Sequence, residues 1–231
     1  MVSLTRNPKK RNIYIIEVVI FCCFVDNLAS LEFPVKGKAN HVFYKMPQQL
    51  KRKLTPEELR ERLRDPNFLP SRKQIMRAFQ DYTQWRDFCF NKEDPVFEFF
   101  NEDYLNAFVD YLINRVQDLG KNEKNPLTIL ELGAGNGKFS HFLKEKIETR
   151  APGQTKIIPT DSGKWNFKKS FPVKKLNHLE ALKRYRPDLV IFSWMPYKKD
   201  VSKDIRKFDS VKEYILIGEI NGGCCGDEWE T

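Results

Sequence analysis

The sequence predicts an α/β fold in which a mostly parallel sheet is flanked by helices and preceded by a helical extension. Three observations lead there. From Pro126 onward, short apolar runs alternate with helical stretches. Strands separated by helix-length segments must run parallel, because a parallel neighbour needs a crossover connection. The first run, Leu127–Leu132, passes directly into a glycine-rich bend, Gly133-Ala134-Gly135-Asn136-Gly137, and then into a helical pattern. Ahead of Pro126 lie helical patterns with clear start signals.

Residues 1–54 read as a leader. Arg6, Lys9, Lys10 and Arg11 precede an apolar run from Ile13 to Val25. That run is shorter than the about 20 residues a bilayer span requires, and Glu17 interrupts it. Its length suits a signal-type core of about 7–15 apolar residues, but no clean small-residue cleavage site follows. A buried strand or helix, or a poorly ordered leader, is the expectation. A cytoplasmic protein with no transmembrane span follows, with a targeting role for this segment left open.

Residues 55–120 form the helical extension, expected to cap a pocket. Thr55-Pro56-Glu57-Glu58 combines a cap, a first-turn proline and a capping-box glutamate, so a helix runs from here to about Arg64. Ser71 to Gln74 repeats the capping pattern. Behind it, Ile75, Phe79, Tyr82, Trp85 and Phe88 keep helical spacing on one face. A third helix runs from about Asn101 to Leu119. Its stripe is Leu105, Phe108, Val109, Leu112, Ile113 and Val116, and Gly120 is placed to stop it. These aromatics read as core.

Residues 121–231 form the sheet domain. Strands are predicted at Leu127–Leu132, Lys156–Thr160, Val173–Leu176, Asp188–Ser193 and Glu213–Glu219. Helices are predicted at Lys138–Ile147, near His178–Lys183 and at Val201–Phe208. There are no internal repeats.

Composition narrows the function classes. A chain with 41% hydrophobic and 13% aromatic residues is not wholly disordered. The net charge of +9 permits a nucleic-acid partner without favouring one, because the basic residues are spread along the chain. The five cysteines, four of them in the adjacent pairs Cys22-Cys23 and Cys224-Cys225, make neither a disulfide framework nor a zinc pattern. A reducing compartment and no metal are expected. No base for a thiol is placed by the sequence among His41, His141 and His178.

The chemistry concentrates at Glu131-Leu132-Gly133-Ala134-Gly135-Asn136-Gly137. Glycines let the backbone turn tightly and let a ligand lie against main-chain amides. A dinucleotide fingerprint would need glycine at 138, where Lys138 stands, so a nicotinamide oxidoreductase is disfavoured. The segment resembles motif I of the class I, Rossmann-like S-adenosylmethionine-dependent methyltransferases. That resemblance covers about Leu105 to Glu219. It implies that Glu131 helps hold the methionine amino group and that Gly133, Ala134, Gly135, Asn136 and Gly137 pass under the cofactor. It also implies that Asp161, with Ser162 beside it, binds the ribose hydroxyls; a carboxylate's two acceptor oxygens match a vicinal diol. Asn177 is the nearest match to a side chain near the adenine. Asp188 to Tyr197 resembles motif IV, with Ser193 and Trp194 as pocket residues, yet it lacks the Asn/Asp-Pro-Pro-Tyr signature, so the acceptor stays open. Tyr104 and Tyr197 are candidate substrate contacts.

Two departures shape the expectation. Asn221 to Asp227 follows the fifth strand without a motif. The family's sheet also finishes with two more strands, one antiparallel, which do not follow here. Either the sequence is incomplete, or the leader supplies the missing edge, or the fold is a shortened variant with an exposed edge. The expected function is methyl transfer to an unknown acceptor, by in-line displacement and with no catalytic base identified. The alternative is a non-catalytic, methyltransferase-like binding scaffold.

Overall fold

The computed structural model describes residues 12–17 (as backbone), 53–91, 96, 98–165, 170–196 and 198–218. The remainder of the leader, both cysteine pairs, His41, Tyr197 and the Asn221–Asp227 segment lie outside the described residues. The chain divides into two units, residues 21–104 and residues 1–20 with 105–231.

In the first unit, helix α1 (Pro56–Arg64) starts at Thr55 with the expected capping box: the Glu58 amide donates to Thr55 Oγ1 and the Thr55 amide to Glu58 Oε2. Helix α2 (Arg72–Ala78) repeats the device with Ser71 and Gln74. The single apolar face expected from Ile75 to Phe88 is broken. Phe79 is extended, and a separate helix α3 (Tyr82–Cys89) begins at Asp81, whose carboxylate accepts the Gln84 amide. Asp81 offers the backbone a cap where the apolar spacing offers continuation, and the cap prevails. Tyr82 is consequently exposed, while Leu59, Ile75, Phe79, Trp85 and Phe88 are buried. Phe79 meets Phe88 and Phe99 edge-on, and the Arg60 guanidinium lies 4.0 Å over the Phe88 ring.

Helix α4 (Glu102–Asp118) ends where Gly120 takes a left-handed φ of 61°; the Lys121 amide returns to the Val116 carbonyl and the Gly120 amide to Gln117. These two bonds close the orphan carbonyls of the last turn.

The second unit is built on a six-stranded sheet. Its strands are β1 (Asn12–Glu17), β2 (Leu127–Leu132), β3 (Thr155–Asp161), β4 (Lys174–Lys175), β5 (Leu189–Ser193) and β6 (Glu213–Gly218), in the order β1-β6-β5-β2-β3-β4. Every pairing is parallel. The order reverses beside β2, which is where ligands sit in open α/β sheets. The outer edge of β6 is covered by β1, from within the leader's apolar run, running parallel rather than antiparallel. This is the Rossmann-like α/β arrangement expected from the sequence.

Strand alternation assigns the two faces. Leu130, Leu132, Val190, Phe192 and Leu216 pack with Ala181 and Leu182 of α6 (His178–Tyr185) and Ile205 of α7 (Ser202–Ile205). On the opposite face lies α5 (Lys138–Arg150), held to α4 by the Phe108–Phe139 ring contact and by Arg150–Asp110. At the amino edge of the sheet, buried Glu213 accepts from Tyr111 Oη and from Arg115 Nε at 2.9 Å. Lys121 pairs with Asp188 at 2.8 Å. These charge pairs tie helix α4 and the segment after it to the amino edge of the sheet. Among the described residues, no helix is long and apolar enough to cross a membrane.

Candidate functional site at the carboxyl edge of the sheet

The glycine bend lies where β2 ends and α5 begins. Gly133, Gly135 and Gly137 all have positive φ, at 67°, 53° and 82°. Two of them are also close-packed. A β-carbon on Gly133 would stand 2.7 Å from the Phe192 ring, and one on Gly137 would stand 2.8 Å from Val173. The bend therefore needs glycine for both conformation and contact.

Its amides are largely engaged inside the protein. Ala134 donates to the Thr160 carbonyl, Gly135 to Asp161 Oδ2 at 3.1 Å, Gly137 to the Ala134 carbonyl and Lys138 to Asn136 Oδ1. These four amides serve the fold of the bend itself. What the bend presents outward is backbone at Gly133 and the side of Asn136, both exposed.

Asp161 ends β3 beside the bend. Its Oδ1 accepts the Gly163 amide at 2.7 Å, so each oxygen already holds one donor and keeps capacity for another. Ser162 is exposed beside it and its hydroxyl faces the Lys164 amide.

Glu131 is buried, only 3% exposed, beneath the first turn of α5, where Ser140 Oγ donates to it. Burial pushes its carboxyl up to about 7. The Ser140 hydrogen bonds pull it back, and the Asp161 charge pushes further in the same direction as burial. Near neutral pH the group is poised between its two protonation states, and a cation arriving nearby favours the ionised one.

On the neighbouring strand, Ser193 ends β5 and Trp194 follows it. Trp194 holds a left-handed φ of 53°, pinned by its amide to the Ile217 carbonyl at 2.8 Å. Ser193 Oγ and Trp194 Nε1 are both buried and, among the described residues, have no hydrogen-bond partner. A strained backbone carrying two orphaned polar atoms is costly, and a ligand that supplies partners would recover part of that cost.

Asn177 opens the following helix. It is the N-cap of α6, its Oδ1 accepting the Glu180 amide at 3.0 Å in a full capping box, so its oxygen is committed to the helix. Tyr104 sits on the first turn of α4, in the segment that groups with the N-terminal helices. His178 pairs with Asp204 at 2.9 Å, and Lys207 and His178 hold the Asp204 carboxyl low. His141 stacks on Phe171 with ring centroids 3.7 Å apart, and the Phe171 amide donates to the Asn136 carbonyl.

Ser140, Thr160 and Phe171 complete the site without having been foreseen. Thr160 Oγ1 donates to the Glu131 carbonyl. Ser140 carried one weak signal, its place on the first turn of the helix after the bend. Among the described residues, no cluster of three metal-ligating side chains occurs. A cleft of about 530 Å³ in the helical unit is lined by Glu57, Arg60, Glu61, Arg64 and Asp87. Its charges offset one another, as in the Arg64–Glu61 pair at 2.7 Å, and it gathers no reactive group.

No family model, curated protein or solved structure matches the chain. Fold and site together define a Rossmann-like α/β protein with a glycine bend, two acidic strand ends and a strained Ser-Trp pair at one sheet edge.

Proposed function

We propose that the chain binds S-adenosylmethionine at this edge and transfers its methyl group to an acceptor. The observation that carries the reading is the meeting of Asp161 with the glycine bend, through the Gly135 amide. That contact sets a carboxylate, whose two acceptor oxygens suit a vicinal diol, beside a turn with exposed backbone at Gly133. Asp161 would hold the ribose. Glu131, buried behind the bend, would supply negative charge toward the methionine amino group without open contact. Ser193 Oγ and Trp194 Nε1 would gain the partners they lack.

When bound, the cofactor supplies an electrophilic methyl on sulfur. The protein's share is alignment of acceptor and methyl, which can lower a barrier by up to about 7–11 kcal/mol. A base is needed only where the acceptor arrives protonated.

The second reading, a non-catalytic scaffold, draws support from the engaged amides of the bend. A labelled-methyl transfer screen over protein, RNA, lipid and metabolite acceptors separates the two, with Asp161→Ala as control. Transfer that Asp161→Ala abolishes supports the enzyme. Cofactor-induced thermal stabilisation without transfer to any class favours the scaffold, and transfer undiminished in Asp161→Ala removes the ribose assignment.

A further inference from the structure

Beside Asp161, at the β3–β4 edge of the sheet, the surface changes character. Among the described residues from Ser162 to Lys175 there are three lysines, Lys164, Lys174 and Lys175, two aromatics, Trp165 and Phe171, and no carboxylate. Within this stretch the structure brings Lys164, Trp165, Phe171, Lys174 and Lys175 to one edge. Lys174 and Lys175 form β4 and pair with Thr160 and Asp161, so they are the last residues of the sheet on that side. The Lys175 side chain runs beside Gly163, its Cε 3.1 Å from where a β-carbon of Gly163 would be, next to Lys164 and Trp165. All three lysines are exposed, and Trp165 is 62% exposed, the most open of the large hydrophobic side chains described. Phe171 joins this edge to the bend through the hydrogen bond its backbone amide donates to the Asn136 carbonyl.

Exposed indole surface is costly in water, and three ammonium groups beside it attract a polyanion. An exposed indole flanked by cations matches one partner chemistry well. Each base of a single strand offers a face to stack and each linkage a phosphate to neutralise. A duplex hides its base faces, and an acidic peptide has no ring to stack.

The geometry points to a single-stranded nucleic-acid binding edge formed by Lys164, Trp165, Lys174 and Lys175. Trp165 stacks on a base and the lysines contact flanking phosphates. The edge opens beside Asp161, and binding there does not depend on methyl transfer.

The test uses the full chain without cofactor and a fluorescein-labelled 12-nucleotide oligouridylate, read by anisotropy and by quenching of indole fluorescence. Trp165→Ala is expected to weaken binding about tenfold, and Trp165→Phe to restore most of it, as a stacking role requires. Lys174→Glu with Lys175→Glu is expected to weaken binding further and to reduce the slope of log affinity against log salt by about 1.4, at about 0.7 per phosphate contact on a single strand. All these positions are exposed, and unchanged melting temperatures would show that the variants fold. Absence of binding overturns the inference. So does binding that ignores both sets of substitutions, or polyglutamate competing as well as unlabelled oligouridylate.

Discussion

The carboxylate of Asp161 accepts the backbone amide of Gly135 at 3.1 Å, tying the end of one strand to the turn that follows its neighbour. Its other oxygen accepts the Gly163 amide. One side chain therefore shapes both loops of the site. Asp161→Ala should lose about 1–3 kcal/mol of stability, since both bonds are charge-assisted but partly exposed. Asp161→Asn, which keeps one acceptor, should lose less. Urea unfolding of the two variants checks the order; equal stability of all three proteins would contradict it.

Glu131 makes stability pH-dependent in a definite direction. Its folded carboxyl is raised to about 7 from an ordinary 4.5, so the folded state binds the proton more tightly than the unfolded chain. Its contribution is full below about pH 4.5 and is lost as pH rises through 7. Relative to Glu131→Gln, the native protein should lose roughly 3 kcal/mol between pH 4 and pH 8, since each tenfold change in proton affinity is worth about 1.4 kcal/mol. Denaturant unfolding across that range measures the difference, and a constant gap between the proteins would show that Glu131 is not desolvated.

Two glycines with similar φ separate conformation from contact. Gly120 has φ 61° and open space where a β-carbon would go, so Gly120→Ala should cost about 1 kcal/mol. Gly137 has φ 82° and Val173 at 2.8 Å from that point, so Gly137→Ala should cost clearly more. Paired unfolding curves decide it. Equal losses would mean that Val173 moves aside freely.

Arg115 compensates buried Glu213 at the opposite edge. Burial raises the Glu213 carboxyl, while Tyr111 and Arg115 lower it. Removing Arg115 should push it higher and cost about 3–5 kcal/mol at pH 7. Because a carboxyl raised by burial takes up its proton more readily in the folded state, that loss should shrink as pH falls. A loss independent of pH would assign Arg115 a packing role instead.

The fold was legible where local chemistry and tertiary packing agree. Apolar runs such as Leu127–Leu132 became strands because they are buried on both faces, and Thr55 and Ser71 capped helices as their spacing requires. One misreading has a clear origin. Asp81 turned its side chain to a helix start, and apolar spacing alone does not reveal which donor a short polar side chain will meet. At the site, the glycine bend and Asp161 were readable because their positions follow from strand ends. The burial of Glu131 under Ser140, the strained Trp194 and the amide given to Asp161 were not, since each depends on how strands and helix pack together.

Isothermal titration of the purified chain with S-adenosylmethionine at pH 8 bears most directly on the central claim. A single site with micromolar affinity, weakened at least tenfold by Asp161→Asn, is the predicted result. A folded protein that gives no heat of binding at millimolar cofactor, or binds it equally well without the Asp161 carboxylate, would contradict it.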